Sequence, residues 1–140
     1  MENRSFEVID HTADIGIIVY GANIAHLFSN AASALFSLIA EPESITERLH
    51  RYTKVTAENS ENLLVAWLNE LIYLFDAEHL LFNRFQINNL NNNQLMAICY
   101  GETINPQKHR LKKYIKAATY HKLQIKGCSS GYKVQIIFDM

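Results

Sequence analysis

Neither sign of charge dominates the sequence: 13 Lys and Arg stand against 14 Asp and Glu, a formal net charge of -1. That balance excludes a protein held on bare nucleic acid by bulk charge, since neutralising phosphates takes clustered excess basic residues. Binding to a partner that itself carries RNA stays open. Cysteine is scarce, with Cys99 and Cys128 far apart in the chain, no C-x-x-C and no His at zinc-finger spacing. A reduced chain is expected, and a disulfide framework is not. The opening Met-Glu-Asn-Arg-Ser-Phe-Glu offers no apolar stretch of the signal-peptide kind, so the expected location is the cytoplasm. No apolar run reaches the roughly 18 residues that a membrane helix needs. Phosphate-loop, dinucleotide and zinc-protease signatures are absent, and no Ser or Cys stands in a nucleophile context. With no internal repeat and no linker composition, a single domain over residues 1–140 is expected.

What is present is a large supply of core residues. The sequence is 49% hydrophobic and 19% charged, which suits one packed core. A chain of this length buries about two-thirds of the surface its unfolded form exposes. Asp14 to Tyr20 is short, β-branched and closed by Gly21, so it reads as a strand. Asn23 caps a helix to about Ala40, with apolar residues from Ile24 to Ile39 at helical spacing and Pro42 beyond its end. A strand is expected over 52–57. Asn59 or Ser60 then caps a second helix to about Ala77, whose stripe of Leu64, Trp67, Leu68, Leu71, Ile72 and Phe75 is packing material. Further strands are expected over 81–87, 95–104, 114–126 and 132–138, separated by Asn88 to Asn93, Asn105-Pro106 and Gly127 to Gly131. This order predicts an α+β, two-layer fold with both helices on one face of a largely antiparallel or mixed β-sheet.

Three polar patches are candidates for chemistry. Asp10, His11, Thr12, Ala13 and Asp14 run straight into the first strand. Two carboxylates and an imidazole so close suit a cation: carboxylate oxygens for calcium, magnesium or manganese, imidazole for softer ions. The same residue types also close Asx and ST turns ahead of a strand. At the other end of the chain, Ile136-Ile137-Phe138-Asp139-Met140 sets an acidic side chain beside the terminal carboxylate. Such neighbours repel unless a cation or donors compensate. Were this strand to lie beside the first, Asp14 and Asp139 would meet at one end of the sheet, and Met140 main-chain oxygens could join them. The third patch is Lys116-Ala117-Ala118-Thr119-Tyr120-His121, where strand alternation puts Lys116, Ala118 and Tyr120 on one face and Ala117, Thr119 and His121 on the other. A snorkelling surface lysine and a hydrogen-bonded structural histidine fit this patch as well as functional roles do. Glu70, at the border of the second helix's stripe, reads as solvated or capped. The basic run Lys108 to Lys113 reads as an exposed turn that could touch RNA or an acidic partner.

Together and in order, these segments resemble the archease family. The run from Phe6-Glu7 through Asp10-His11-Thr12-Ala13-Asp14-Ile15-Gly16 is similar to its N-terminal signature, and Glu61 to Leu71 to its second helix. Gly101-Glu102, Ile115 to His121 and the closing Phe138-Asp139-Met140 match its later motifs. The resemblance implies a two-layer α+β domain with a divalent metal ion at one end. Calcium is the ion expected, and magnesium or manganese are compatible. The ligands implied are Asp14, Asp139 and Met140, the last through its carboxylate or carbonyl. Lys116, His11 and His121 stand as functional candidates near them. The family usually ends in Ile or Val where this chain has Met140, a change that main-chain ligation should survive. Archeases assist the RtcB-type RNA ligase of tRNA splicing and RNA repair, promoting guanylylation of its active-site histidine and repeated turnover. GTP and manganese belong to the ligase. The resemblance therefore implies a non-catalytic protein cofactor whose partner is that ligase, which meets RNA only through it and binds neither membrane nor DNA. The residues alone also allow a free-standing metal-dependent hydrolase with His11 or His121 as general base. A general RNA- or protein-binding, chaperone-like module is the third reading, its nucleic-acid form weakened by the lack of an aromatic-basic stripe.

Overall fold

The computed structural model of the chain describes residues 5–10 and 14–140. In chain order the elements are β1 (Phe6–Asp10), β2 (Asp14–Gly21), α1 (Ile24–Ile39), a 3-10 turn (Pro42–Ser44), β3 (Leu49–Thr56), α2 (Ser60–Glu78), β4 (Leu80–Leu90), β5 (Gln94–Thr103), β6 (Ala117–Thr119), β7 (Ile125–Cys128) and β8 (Gly131–Asp139). The result is an α+β fold of two helices and eight strands in two antiparallel sheets.

Both helices begin where their capping residues dictate. The Asn23 side-chain oxygen accepts the His26 N–H at 2.8 Å, and that of Asn59 accepts the Asn62 N–H at 2.8 Å. Each satisfies a backbone donor the helix cannot, an effect of about 1 kcal/mol. α1 buries its stripe against β2 and β4, and α2 lies against β6 and β3, so the helices bridge the two sheets. Trp67 of α2 is fully buried and its indole N–H donates to the Phe28 carbonyl of α1 at 3.0 Å. Phe85 meets its ring edge-on, and Phe36 and Phe82 pack in turn against Phe85 and each other. Burying each such ring contributes roughly 1.5–3 kcal/mol, so this junction of both helices with β4 anchors the core.

The five-stranded sheet runs β1-β2-β8-β6, with β7 also paired to β8; the other runs β3-β5-β4. In the β2–β8 ladder Asp14 faces Asp139 and Gly21 faces Tyr132, without a slip. Alternation then puts Ile15, Ile17, Val19, Val134, Ile136 and Phe138 into the core. Asp14, Ile18 and Tyr20 of β2 share the opposite, outer face with Lys133, Gln135 and Asp139 of β8. At the far end of this ladder the chain passes backbone against backbone. A side chain on Gly21 would strike the backbone of Leu27, and Gly131 has φ +134 with the Gly21 carbonyl where a Cβ would go. Only glycine meets both demands.

The expected single sheet is thus two sheets. β1 was not expected from the sequence, β3 starts at Leu49 rather than residue 52, and the strand expected over 114–126 is broken. Only 117–119 and 125–128 pair, with a turn between them in which the Leu123 N–H donates to the Tyr120 carbonyl at 3.1 Å and Lys122 takes φ 54. His121 therefore sits exposed in that turn rather than on a sheet face with Leu123 and Ile125. The buried apolar side chains form one contiguous core. Among the described residues no helix is long and apolar enough to cross a membrane.

Candidate functional site

The pairing of β2 with β8 brings the start of β2 and the end of the last strand to one end of the sheet. Asp14 is the first residue of β2 and Asp139 the last of β8, and they are directly opposed. Residues opposed in an antiparallel pair project to the same face with Cβ atoms about 5 Å apart. Asp14 is half-buried, its Oδ1 screened from solvent, whereas Asp139 and Met140 are exposed. On the other side of Asp139 lies Ala117 of β6, and the Lys116 N–H donates to the Asp139 carbonyl at 2.8 Å. The chain thus sets Asp14, Asp139 and the backbone of Lys116 on three adjacent strands. His11, named with them from the sequence, lies outside the described residues.

Lys116 also borders a depression of about 360 Å³ between α2 and the approach to β6, with Asn69, Tyr73, Asp76 and Tyr114 around it. The Tyr114 hydroxyl donates to Asp76 Oδ1 at 2.6 Å, and this bond with the Asp76 charge raises the Tyr114 pKa. Asn69 had no assigned role in the sequence. Its Nδ2 donates to the Ala118 carbonyl at 3.3 Å and its Oδ1 accepts the Ala118 N–H at 2.8 Å. One amide thereby satisfies the free edge of a three-residue strand and fixes it on α2. The available signal was an amide inside an otherwise apolar helix.

Two like charges directly opposed on a ladder are destabilising by themselves. The arrangement becomes favourable when a cation lies between them, and carboxylate oxygens suit hard divalent ions. Among the described residues no three His, Cys, Asp or Glu side chains gather at one place. Among the described residues, an ion on Asp14 and Asp139 would have terminal or main-chain oxygens such as those of Met140, water or a partner molecule to complete its shell. His121 lies past the far end of β6, whose pairing with β8 closes at Thr119 and Ile137. The described geometry does not place it with the carboxylates.

A second charged cluster lies on the other sheet. Glu102, near the end of β5, is 5% exposed and His109 is 4% exposed. Glu102 Oε2 accepts from Lys108 Nζ at 2.7 Å, the Thr46 N–H at 2.6 Å and His109 Nε2 at 3.0 Å, and Arg48 Nε lies 3.3 Å from Oε1. Burial alone would raise its pKa; the bonds from Lys108, Thr46 and His109 more than offset this and hold it at about 2. His109 Nδ1 accepts the Asn105 N–H at 2.9 Å, which fixes the proton on Nε2, toward Glu102. Neither imidazole nitrogen can then take a substrate proton, so this pair is architecture. Elsewhere in the basic run Lys112 donates its N–H to the Ile39 carbonyl at 2.7 Å and its Nζ to Glu41 at 3.1 Å, while Arg110 and Lys113 are exposed. Cys99 lies in the core, where burial pushes its thiol up to about 12, so it is no nucleophile.

Comparison with known proteins agrees in extent with the whole of this architecture. The family model described as the Archease protein family (MTH1598/TM1083) matches residues 6–140. Protein archease of Methanosarcina mazei is 33% identical over 143 aligned positions, covering 99% of this chain and 98% of the relative. Protein archease of Sulfolobus acidocaldarius is 36% identical over 136, covering 96% and 98%. Among solved structures, that of Methanobacterium thermoautotrophicum protein 1598 superposes with a TM-score of 0.79 at 28% identity, covering 97% of this chain and 99% of that one. The crystal structure of an archease from Thermotoga maritima, described as a possible chaperone, shares the fold with a TM-score of 0.63 at 21% identity, covering 100% and 98%.

Proposed function

Because the chain belongs to the archease family, we propose that it is the activator of an RtcB-type RNA ligase, promoting guanylylation of the ligase's active-site histidine and repeated turnover. The observation that carries the reading is the direct opposition of Asp14 and Asp139 at the rim where the chain ends, beside the strand that follows Lys116. Such a rim is built to hold a divalent cation, which would supply a positive centre able to attract carboxylate or phosphate oxygens. Calcium, magnesium and manganese all fit an all-oxygen donor set. This chain's own part is to fix the two carboxylates through an unbroken ladder and to hold Lys116 next to them through the Asn69 clamp on β6. Among the described residues the ion would have two side-chain carboxylates, those of Asp14 and Asp139, which leaves room for a partner surface to contribute to its shell. Membership of the archease family favours an activator that docks on an enzyme over a self-contained hydrolase.

The test is multiple-turnover ligation by the RtcB-type ligase of the same source, with this protein at substoichiometric amounts. Native protein should raise the number of turnovers. Asp14→Ala should leave the ligase at its unaided level while keeping the native circular dichroism and melting curve. Full stimulation by a folded Asp14→Ala protein would sink the proposal. RNA or phosphoester hydrolysis by the purified chain alone would favour the hydrolase.

A further inference from the structure

The outer face of the five-stranded sheet carries a second charged feature, at the end away from Asp14 and Asp139. A groove of about 190 Å³ is lined there by Lys122, Lys126, Lys133, Gln124, Gln135 and Tyr20. Lys126 and Lys133 are direct cross-strand partners between β7 and β8, and Lys133 faces Tyr20 across the β2–β8 ladder. Opposed like charges cost stability. Lys108, Lys112, Arg51 and Arg84 pair with Glu102, Glu41, Glu78 and Glu47, whereas Lys54, Arg110, Lys113 and Lys116 stand singly without an ion pair among the described residues; the groove differs in bringing three such lysines together. None of the three groove lysines has an ion-pair partner among the described residues. The carboxylate of Glu7 reaches the groove's margin, accepting the Tyr20 hydroxyl at 3.0 Å. Lys122 enters from the turn with φ 54, a left-handed conformation that favours glycine or asparagine, yet a long cation stands there.

We infer that this groove binds the sugar-phosphate backbone of single-stranded RNA. Three ammonium groups act as point charges that can follow phosphates without demanding one fixed geometry. Gln124 and Gln135 add amides that both donate and accept, the complement of ribose hydroxyls. No arginine lines the groove, so its phosphate contacts would be point-charge contacts from lysine alone. Lys133 and Asp139 share one face of β8 and stand six residues, about 20 Å, apart along the strand. A strand of RNA held by the lysines would therefore run along the same face toward the carboxylate rim. The choice of RNA over other polyanions rests on the activator reading; the groove's preference for phosphate does not.

Fluorescence anisotropy of a labelled single-stranded oligoribonucleotide with this protein alone, across a salt series, tests the inference. Native protein should bind, and log K should fall linearly with log salt. The Lys126→Glu/Lys133→Glu protein should bind at least about tenfold more weakly, with the slope reduced by about 0.7 for each phosphate contact removed. Lys126→Arg/Lys133→Arg should keep the affinity, and all three proteins should melt alike because these side chains are exposed. Absence of native binding at low salt overturns the inference, as does unchanged binding by the double Glu variant. Equal affinity for a polyglutamate peptide with the same lysine dependence also overturns it, and would assign the groove to an acidic protein segment. Ligation assays run alongside separate the two readings. Stimulation without RNA binding sinks the groove alone, while lysine-dependent RNA binding without stimulation sinks the activator alone.

Discussion

Glu102 and Asp139 stand in similar places, each at or one residue from the end of a long strand, yet their surroundings are opposite. Glu102 is buried and takes bonds from Lys108, Thr46 and His109, with Arg48 beside it. Asp139 is exposed, and its direct neighbour across the ladder is another carboxylate, Asp14. In the first case the chain itself supplies the counter-charge, and the fold gains a tie between β5 and the loop that carries Lys108. In the second the chain sets two carboxylates directly across a ladder. On the proposed reading the contrast separates charge that serves the fold from charge that would serve a ligand, even though both sets belong to segments that resemble the same family.

The largest effect expected from breaking this contrast is on stability, at Glu102. Glu102→Gln removes the charge that two cations, the His109 imidazole N–H and a backbone N–H are arranged around. The loss should be about 3 kcal/mol at neutral pH, because the partners of a buried charge are left uncompensated. The pH dependence follows from a folded pKa of about 2 against an ordinary value of 4.5. A carboxylate whose pKa is depressed in the folded state contributes stability that is full above 4.5 and is lost as pH falls from 4.5 toward 2. Urea titrations at pH 7 and pH 3 should therefore show the native and variant proteins far apart at the first and closer at the second. Stimulation of the ligase by folded Glu102→Gln should stay native; its loss would show that the cluster serves function too.

The same contrast explains what could be read from the sequence. Both helices, the α+β class and the strands over 14–21 and 131–139 follow from spacing, Asn caps and β-branched runs, which are local signals. The opposition of Asp14 and Asp139 needed only the supposition that first and last strands are neighbours, which the ladder bears out. What stayed hidden was set by tertiary contact. The break of the expected strand over 114–126 arises from the turn at His121-Lys122, and its short first piece persists because the Asn69 amide holds Ala118 from another element. The basic run at 108–113 is exposed turn and coil as expected, except that His109 is buried against Glu102. The lysines of the outer groove come from β7, β8 and the turn before them, so no single stretch shows them as a cluster.

A smaller effect sharpens the rim side of the comparison. A divalent cation bound by Asp14 and Asp139 in the folded state alone should stabilise the protein by up to about 2.7 kcal/mol at a hundred times its Kd. Thermal melts with calcium, magnesium and manganese would measure this and rank the ions. Asp139→Asn should abolish the response. Without added cation, Asp139→Asn should be neutral or slightly stabilising, since it removes a like-charge contact. A large destabilisation of the ion-free protein would instead place Asp139 with Glu102, among residues that hold the fold.

Glu70 provides the smallest and most discriminating case, a half-buried carboxylate on α2 given neither a cation nor a place on the rim. Burial raises its pKa, and repulsion from Glu78 adds to the rise. A carboxylate that holds its proton more tightly when folded loses stability as pH climbs from the ordinary carboxylate range through its raised value. Above that window the cost is constant, so Glu70→Gln should stabilise the protein at pH 7, by about 0.5 kcal/mol or less. Below the ordinary carboxylate range, near pH 3, both states are protonated and the two proteins should unfold together. If Glu70→Gln were destabilising at pH 7 instead, Glu70 would be making an ionic contact that matters to the fold. Charge on α2 would then belong with the Glu102 cluster.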